Sequence, residues 1–249
     1  MNPRPTARPV SVLSLQQGQA MVEFLIVIPL LLLILLGTLQ FALIYQAKIT
    51  LNYAAFEAAR AGSLNNARDY AMYNALARTL APIYTHADTV DAYKQGRQQI
   101  RDEIDTGYVL IEIVNPTPDS FSDFGNTVSG RTYIPNDNLI YRGASVGTDS
   151  SQTIQDANLL KIQVYYCYEL MVPFVNRIIW AMMRYSPVDA MPANLPEVES
   201  QHRFGRPEAG TFSEQCIKTK NEDDDFFGIP IRAQGIMRMQ SDAEFPGTT

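Results

Sequence analysis

The side chains that could do chemistry are few and scattered. His86 and His202 are the only two histidines. Neither belongs to an H-E-x-x-H helix or a nucleophile elbow, and both read as exposed side chains rather than catalysts. Glu222, Asp223, Asp224 and Asp225 could offer hard oxygen ligands to calcium. The D-x-D-x-D-G spacing of a calcium loop is missing, however, and a solvated acidic turn is the simpler reading. GASVGTD at 143–149 lacks the strand–glycine–helix setting of a phosphate loop. No carboxylates pair convincingly for acid–base work. The expectation is a protein that is not an enzyme and holds no metal or cofactor.

Two features do carry chemistry. The first is Gly18, followed five residues later by Glu23 and then Phe24, at the head of a long uncharged apolar run. A carboxylate at the edge of hydrocarbon costs several kcal/mol unless it is paired, and such residues are usually functional. A protease at the cytoplasmic face could cut after Gly18 and leave the apolar run on the mature protein. Gln19 would then be the new N-terminus, its α-amine (pKa near 8) close to Glu23. Alternatively, Glu23 is an interfacial charge at headgroup level. The second feature is Cys167 and Cys216, too few and too far apart for a zinc site and without a C-x-x-C. In an oxidising compartment they can pair, closing a loop of about 50 residues and stabilising the domain by up to about 4 kcal/mol. The other possibility is two buried free thiols.

The element that positions Glu23 is the apolar run itself. Between Phe24 and Tyr45 the only polar side chains are Thr38 and Gln40. These roughly 22 helical residues cover about 33 Å, the thickness of a bilayer's hydrocarbon core, so they read as one transmembrane helix. Pro29 removes one hydrogen bond within it, which membrane helices tolerate. Arg4 and Arg8 precede the span with no acid beside them, which places the N-terminus in the cytoplasm and the remainder outside. The net charge of −6 comes from acids that follow the span, and with no basic patch it argues against nucleic acid. Residues 1–17, with three prolines, read as a disordered leader, unlike an ordinary secretory signal.

Glycine, four residues, Glu and an aromatic, then about twenty apolar residues: this pattern resembles the type IV prepilins. The Glu23–Phe24 pair is especially similar to their Tad (Flp) branch, and AAFEAARAG at 54–62 resembles the stretch after the membrane helix in TadE-like proteins. The resemblance covers residues 18–63. It implies cleavage after Gly18 by a prepilin peptidase and neutralisation of a neighbouring subunit's α-amine by Glu23. It also implies a minor pilin or pseudopilin of a type IVc pilus, with other pilins and an inner-membrane assembly platform as partners, acting in adhesion and biofilm formation. The alternatives are a pseudopilin of a related secretion or competence machine, or a single-pass anchored periplasmic binding domain.

The remaining chain gives a fold class of α+β. The long helix is expected from about Val22 to about Ala61, with Ile49, Tyr53, Phe56 and Ala59 as its apolar stripe and Gly62 as its C-cap. Helices are expected over about 67–84 and 89–105, the latter capped by Asp88 or Thr89. Strands are expected at 108–116, near 131–134, at 159–170 with one buried face, and at 228–241. Three antiparallel strands and the upper half of the long helix can share one core. Residues 171–185 hold the only tryptophan, Trp180. They read either as an amphipathic helix on the outer leaflet or a neighbouring subunit, or as a core helix. Residues 186–227 read as loop. The division is then 1–18 leader, 19–63 transmembrane and extended helix, and 64–249 periplasmic domain.

Overall fold

The computed structural model of the chain describes residues 13–185, 212, 216–217 and 226–245, with residues 13–20 and 184–185 described by backbone alone. His202 and the acidic run 222–225 lie outside them, as do most of the expected loop 186–227 and residues 1–12 of the leader.

Helix α1 runs from Leu13 to Leu64 without a break. It starts well before Val22 because LSLQQGQA holds good helix formers and no proline, so the end of the expected leader is helical. It also passes through Gly62, which is not a C-cap. A Cβ on Gly62 would stand 2.8 Å from Leu160 Cδ2 and 2.9 Å from Met72 Sδ, so the glycine permits close packing. The turn follows instead at Asn66 and Ala67, both at positive φ, with Asn65 and Ala67 N–H donating to the Gly62 carbonyl.

Helix α2 (Asp69–Leu80) packs against α1, a short 3-10 turn (Ala81–Ile83) follows it against α3 (Val90–Asp105), and α3 is N-capped by Thr89 accepting from Ala92 N–H at 3.2 Å. Strands β1 (Val109–Asn115), β4 (Leu159–Glu169) and β5 (Gly228–Arg238) form one antiparallel sheet in the order β1-β4-β5. A second sheet, less legible in the sequence, joins β2 (Asn126–Val128), β3 (Arg131–Ile134) and β6 (Ala243–Glu244). Short helices α4 (Pro118–Phe124) and α5 (Ile154–Ala157) begin with capping boxes at Thr117 and Thr153, and α6 (Val175–Tyr185) follows β4. The architecture is α+β, as expected.

The core lies between α1 and the β1-β4-β5 sheet. Ala47, Leu51, Ala54, Ala55, Ala58 and Ala59 are buried, at the three- and four-residue steps of one helix face. The expected stripe is corrected here. Ile49, Tyr53 and Phe56 are 50%, 57% and 44% exposed, and only Ala59 of that set faces the core. The reason is distance: a Cβ on Gly235 of β5 would lie 2.2 Å from the Ala55 carbonyl oxygen, so only small side chains fit between helix and sheet.

Strand β4 is buried on both faces, which corrects the one-faced expectation. Ile162 and Val164 face α1, while Gln163 is buried on the other side. That second face is covered by Tyr165 and by a small cluster of Tyr108, Cys167, Phe212, Cys216 and Phe226.

Candidate functional site

The chemistry-bearing residues of the N-terminal segment sit on one continuous helix. Gly18 and Gln19 are helical residues of α1. Gln19 and Glu23 are four apart and therefore neighbours on one helix face. Glu23 and Phe24 are both exposed, Phe24 by 61%. Among the described residues, no hydrogen bond or ion pair reaches Glu23. Above Glu23 and Phe24 the most apolar stretch of α1 is uncovered, with none of it buried among the described residues. The helix is long and apolar enough to cross a membrane once, compatible with a single-pass anchor.

The span's two polar residues behave differently. The Thr38 hydroxyl donates to the Leu35 carbonyl one turn below, at 2.8 Å, a local bond that removes its cost in an apolar setting. Gln40 is fully buried, and its Oε1 accepts the Val172 backbone N–H at 2.8 Å. The domain thus reaches down to Gln40, inside the apolar run. Sequence reasoning marked Gln40 as an exception without finding its partner, which lies 132 residues away.

Higher up, polar links fix the domain to α1. Lys48 Nζ donates to the Arg232 carbonyl on β5. The Ser63 carbonyl, at the top of the helix, accepts from Gln240 N–H, Ser241 N–H and Ser241 Oγ at 2.9 to 3.1 Å. The buried carboxylate of Glu244 accepts from Arg68 Nε at 2.7 Å and Arg131 Nη1 at 2.9 Å, joining the turn after α1 to the second sheet. The long helix is therefore carried by the domain and cannot swing freely on a single link.

Cys167 and Cys216 form the expected disulfide, with Cα atoms 5.5 Å apart. It fastens Cys216 to the face of β4 away from α1, where the Tyr165 and Phe212 rings meet at a tilt with centroids 5.6 Å apart. Beside it runs a polar ladder that the sequence gave little sign of. Glu112, Gln163 and Gln234 stand opposite one another across three strands. Tyr165 donates to Glu112 Oε2 at 2.6 Å, Gln163 Nε2 donates to Tyr165 at 2.6 Å, and Gln234 Nε2 donates to Gln163 Oε1 at 2.9 Å. Burial, with the Glu112 carboxylate beside it, pushes the Tyr165 hydroxyl far above its ordinary pKa. A second buried chain runs from Tyr166 to Tyr84 at 2.9 Å and on to Glu103 Oε1 at 2.8 Å. Burial raises both tyrosines, and the Glu103 carboxylate adds to it. These networks tie strands and helices of the fold together and read as structural.

Among the described residues, no group of three or more His, Cys, Asp and Glu is placed to hold a metal ion. Of the alternatives for 171–185, the core-helix reading describes one face. Val175 is buried, Ile179 packs on the core, and Trp180 donates to the Ile217 carbonyl at 2.9 Å and meets Phe227 edge-on at 5.6 Å. The opposite face, with Phe174, Ile178 and Met182, is open.

Residues 18–60 match the model of a family described as TadE-like protein. The match takes in Gly18, Glu23, Phe24, the apolar span and the alanine face of α1. No curated protein and no solved structure matches the chain.

Proposed function

We propose that this chain is a minor pilin or pseudopilin of a Tad-type (type IVc) pilus, a non-enzymatic assembly component. The observation that carries the reading is the bare lower half of α1. An apolar helix left exposed by the described residues requires lipid or other helices around it, and the match over residues 18–60 is to a family associated with that pilus.

On this reading a prepilin peptidase removes the leader after Gly18, with the N-terminus in the cytoplasm and the domain in the periplasm. The disulfide suits that compartment. Cleavage leaves the α-amine of Gln19 one helical turn from its own Glu23 and available to the Glu23 of a neighbour. The pairing neutralises two charges that would otherwise be costly in hydrocarbon, and it sets the register between helices. An inner-membrane platform then moves the subunit from bilayer to fibre among other pilins, in support of adhesion and biofilm formation. A domain of this size suits a minor or initiating position rather than the shaft.

The test is Glu23→Ala in cells. The variant is expected to be cleaved as the parent is, to remain in the membrane, and to be depleted from sheared pili. Normal incorporation of the variant would remove the role assigned to Glu23.

A further inference from the structure

We propose that the turn before α6 and the outward face of α6 are embedded in the leaflet on the domain's side of the membrane, with Met171, Phe174, Ile178 and Met182 in contact with phospholipid acyl chains. The proposal rests on the reading that α1 spans the bilayer.

The argument begins with length. Below the domain, α1 is bare only from Met21 to about Leu35, since Leu36 and Gly37 are half-buried and Gln40 fully so. Those roughly 15 residues cover only about 22 Å, against about 30 Å of hydrocarbon. The helix cannot extend the apolar stretch downward, because Glu23 lies near its lower end and Gln19, Gln17 and Gln16 lie beyond. The hydrocarbon must therefore rise past Leu36 and meet the lowest part of the domain.

That part is the 170–175 turn, fixed to α1 by the Val172–Gln40 hydrogen bond. Gln40 is about 24 Å above Phe24, still inside the hydrocarbon on this count. There its buried Oε1 satisfies the Val172 N–H, as a nonpolar surrounding requires, while Gln40 Nε2 has no hydrogen-bond partner among the described residues. The side chains turned outward at this level are the ones lipid would accept. Met171 is 48% exposed and Phe174 75%, and the helix continues the same face with Ile178 at 43% and Met182 at 60%. Phe174, Ile178 and Met182 are spaced four apart and form one stripe. The other side of α6 is occupied by the core, so the stripe is the surface left for lipid.

Trp180, the only tryptophan, reports on this segment without labelling. The full chain is reconstituted at low protein-to-lipid ratio in phosphatidylcholine–phosphatidylglycerol vesicles, with or without brominated acyl chains, and carbonate extraction is run in parallel. The protein is expected to resist extraction and to lose roughly half its Trp180 emission to the bromines. A Phe174→Asp/Ile178→Asp variant that keeps its disulfide and far-UV circular dichroism should lose most of that quenching, and the milder Ile178→Ser part of it. An extraction-resistant protein whose Trp180 is untouched by bromolipid, whether water or a second copy covers the stripe, overturns the proposal and leaves the spanning helix standing. Extraction by carbonate would instead overturn the spanning reading, and this proposal with it.

Discussion

Gly235 of β5 lies against the backbone of Ala55 in α1, so close that a Cβ on the glycine would stand 2.2 Å from the Ala55 carbonyl oxygen and 3.0 Å from the Ala59 methyl. The strand meets the helix backbone to backbone, and this contact is where the long helix is fused to its domain. A methyl group has no space there, and the atoms in its way are main chain, which cannot rotate aside. Gly235→Ala is therefore expected to destabilise the folded protein by about 1–3 kcal/mol. Gly143→Ala, where an added Cβ meets nothing within 4 Å, should stay within about 0.5 kcal/mol of the parent. Urea unfolding in detergent, followed by Trp180 fluorescence, compares the two.

The same geometry determines which residues of α1 are structural. Leu51 is fully buried, whereas Ile49, two residues away, is half exposed. Leu51→Ala should cost about 2–5 kcal/mol, and Ile49→Ala less than about 1 kcal/mol. Equal losses at the two positions would mean that the helix is rotated relative to the sheet.

This contrast shows what the sequence made legible and what it did not. The apolar span, the three principal strands and the pairing of Cys167 with Cys216 were readable because each has a strong local or compartmental signal. The facing side of α1 was not. Size-weighted reading chooses Ile49, Tyr53 and Phe56, but the demand for close approach to Gly235 selects alanines, and that demand comes from a strand some 180 residues away. Gly62 was misread for a related reason: near a helix end, a glycine required for packing against Leu160 and Met72 looks like a cap. Gln40 was visible as a polar residue in an apolar run, but its partner is a backbone amide and leaves no mark on the sequence. In the N-terminal segment, Gly18, Glu23 and Phe24 all fall on the one helix that the apolar run announces.

The buried tyrosines give a prediction at alkaline pH. An ordinary tyrosine ionises near pH 10. Tyr84, Tyr165 and Tyr166 are held neutral well above that value by burial, with carboxylates beside them. In the unfolded chain they would release their protons near 10, so the folded state binds more protons above that pH. The stability they contribute is fully present below pH 10 and falls as the pH rises beyond it. Tyrosinate absorbance at 295 nm should therefore rise in two stages, with the contribution of these three coming last and only together with loss of the far-UV signal. A single smooth titration in an intact fold would contradict the hydrogen-bonded chains assigned here.

The central claim is that the apolar helix is an assembly handle released by cleavage after Gly18. Intact-mass analysis and N-terminal sequencing of the protein, purified from the membranes and sheared pili of its own host, test it most directly. The account predicts a mature chain beginning at Gln19, in both fractions. A chain that still begins at Met1, found in membranes alone, would contradict it.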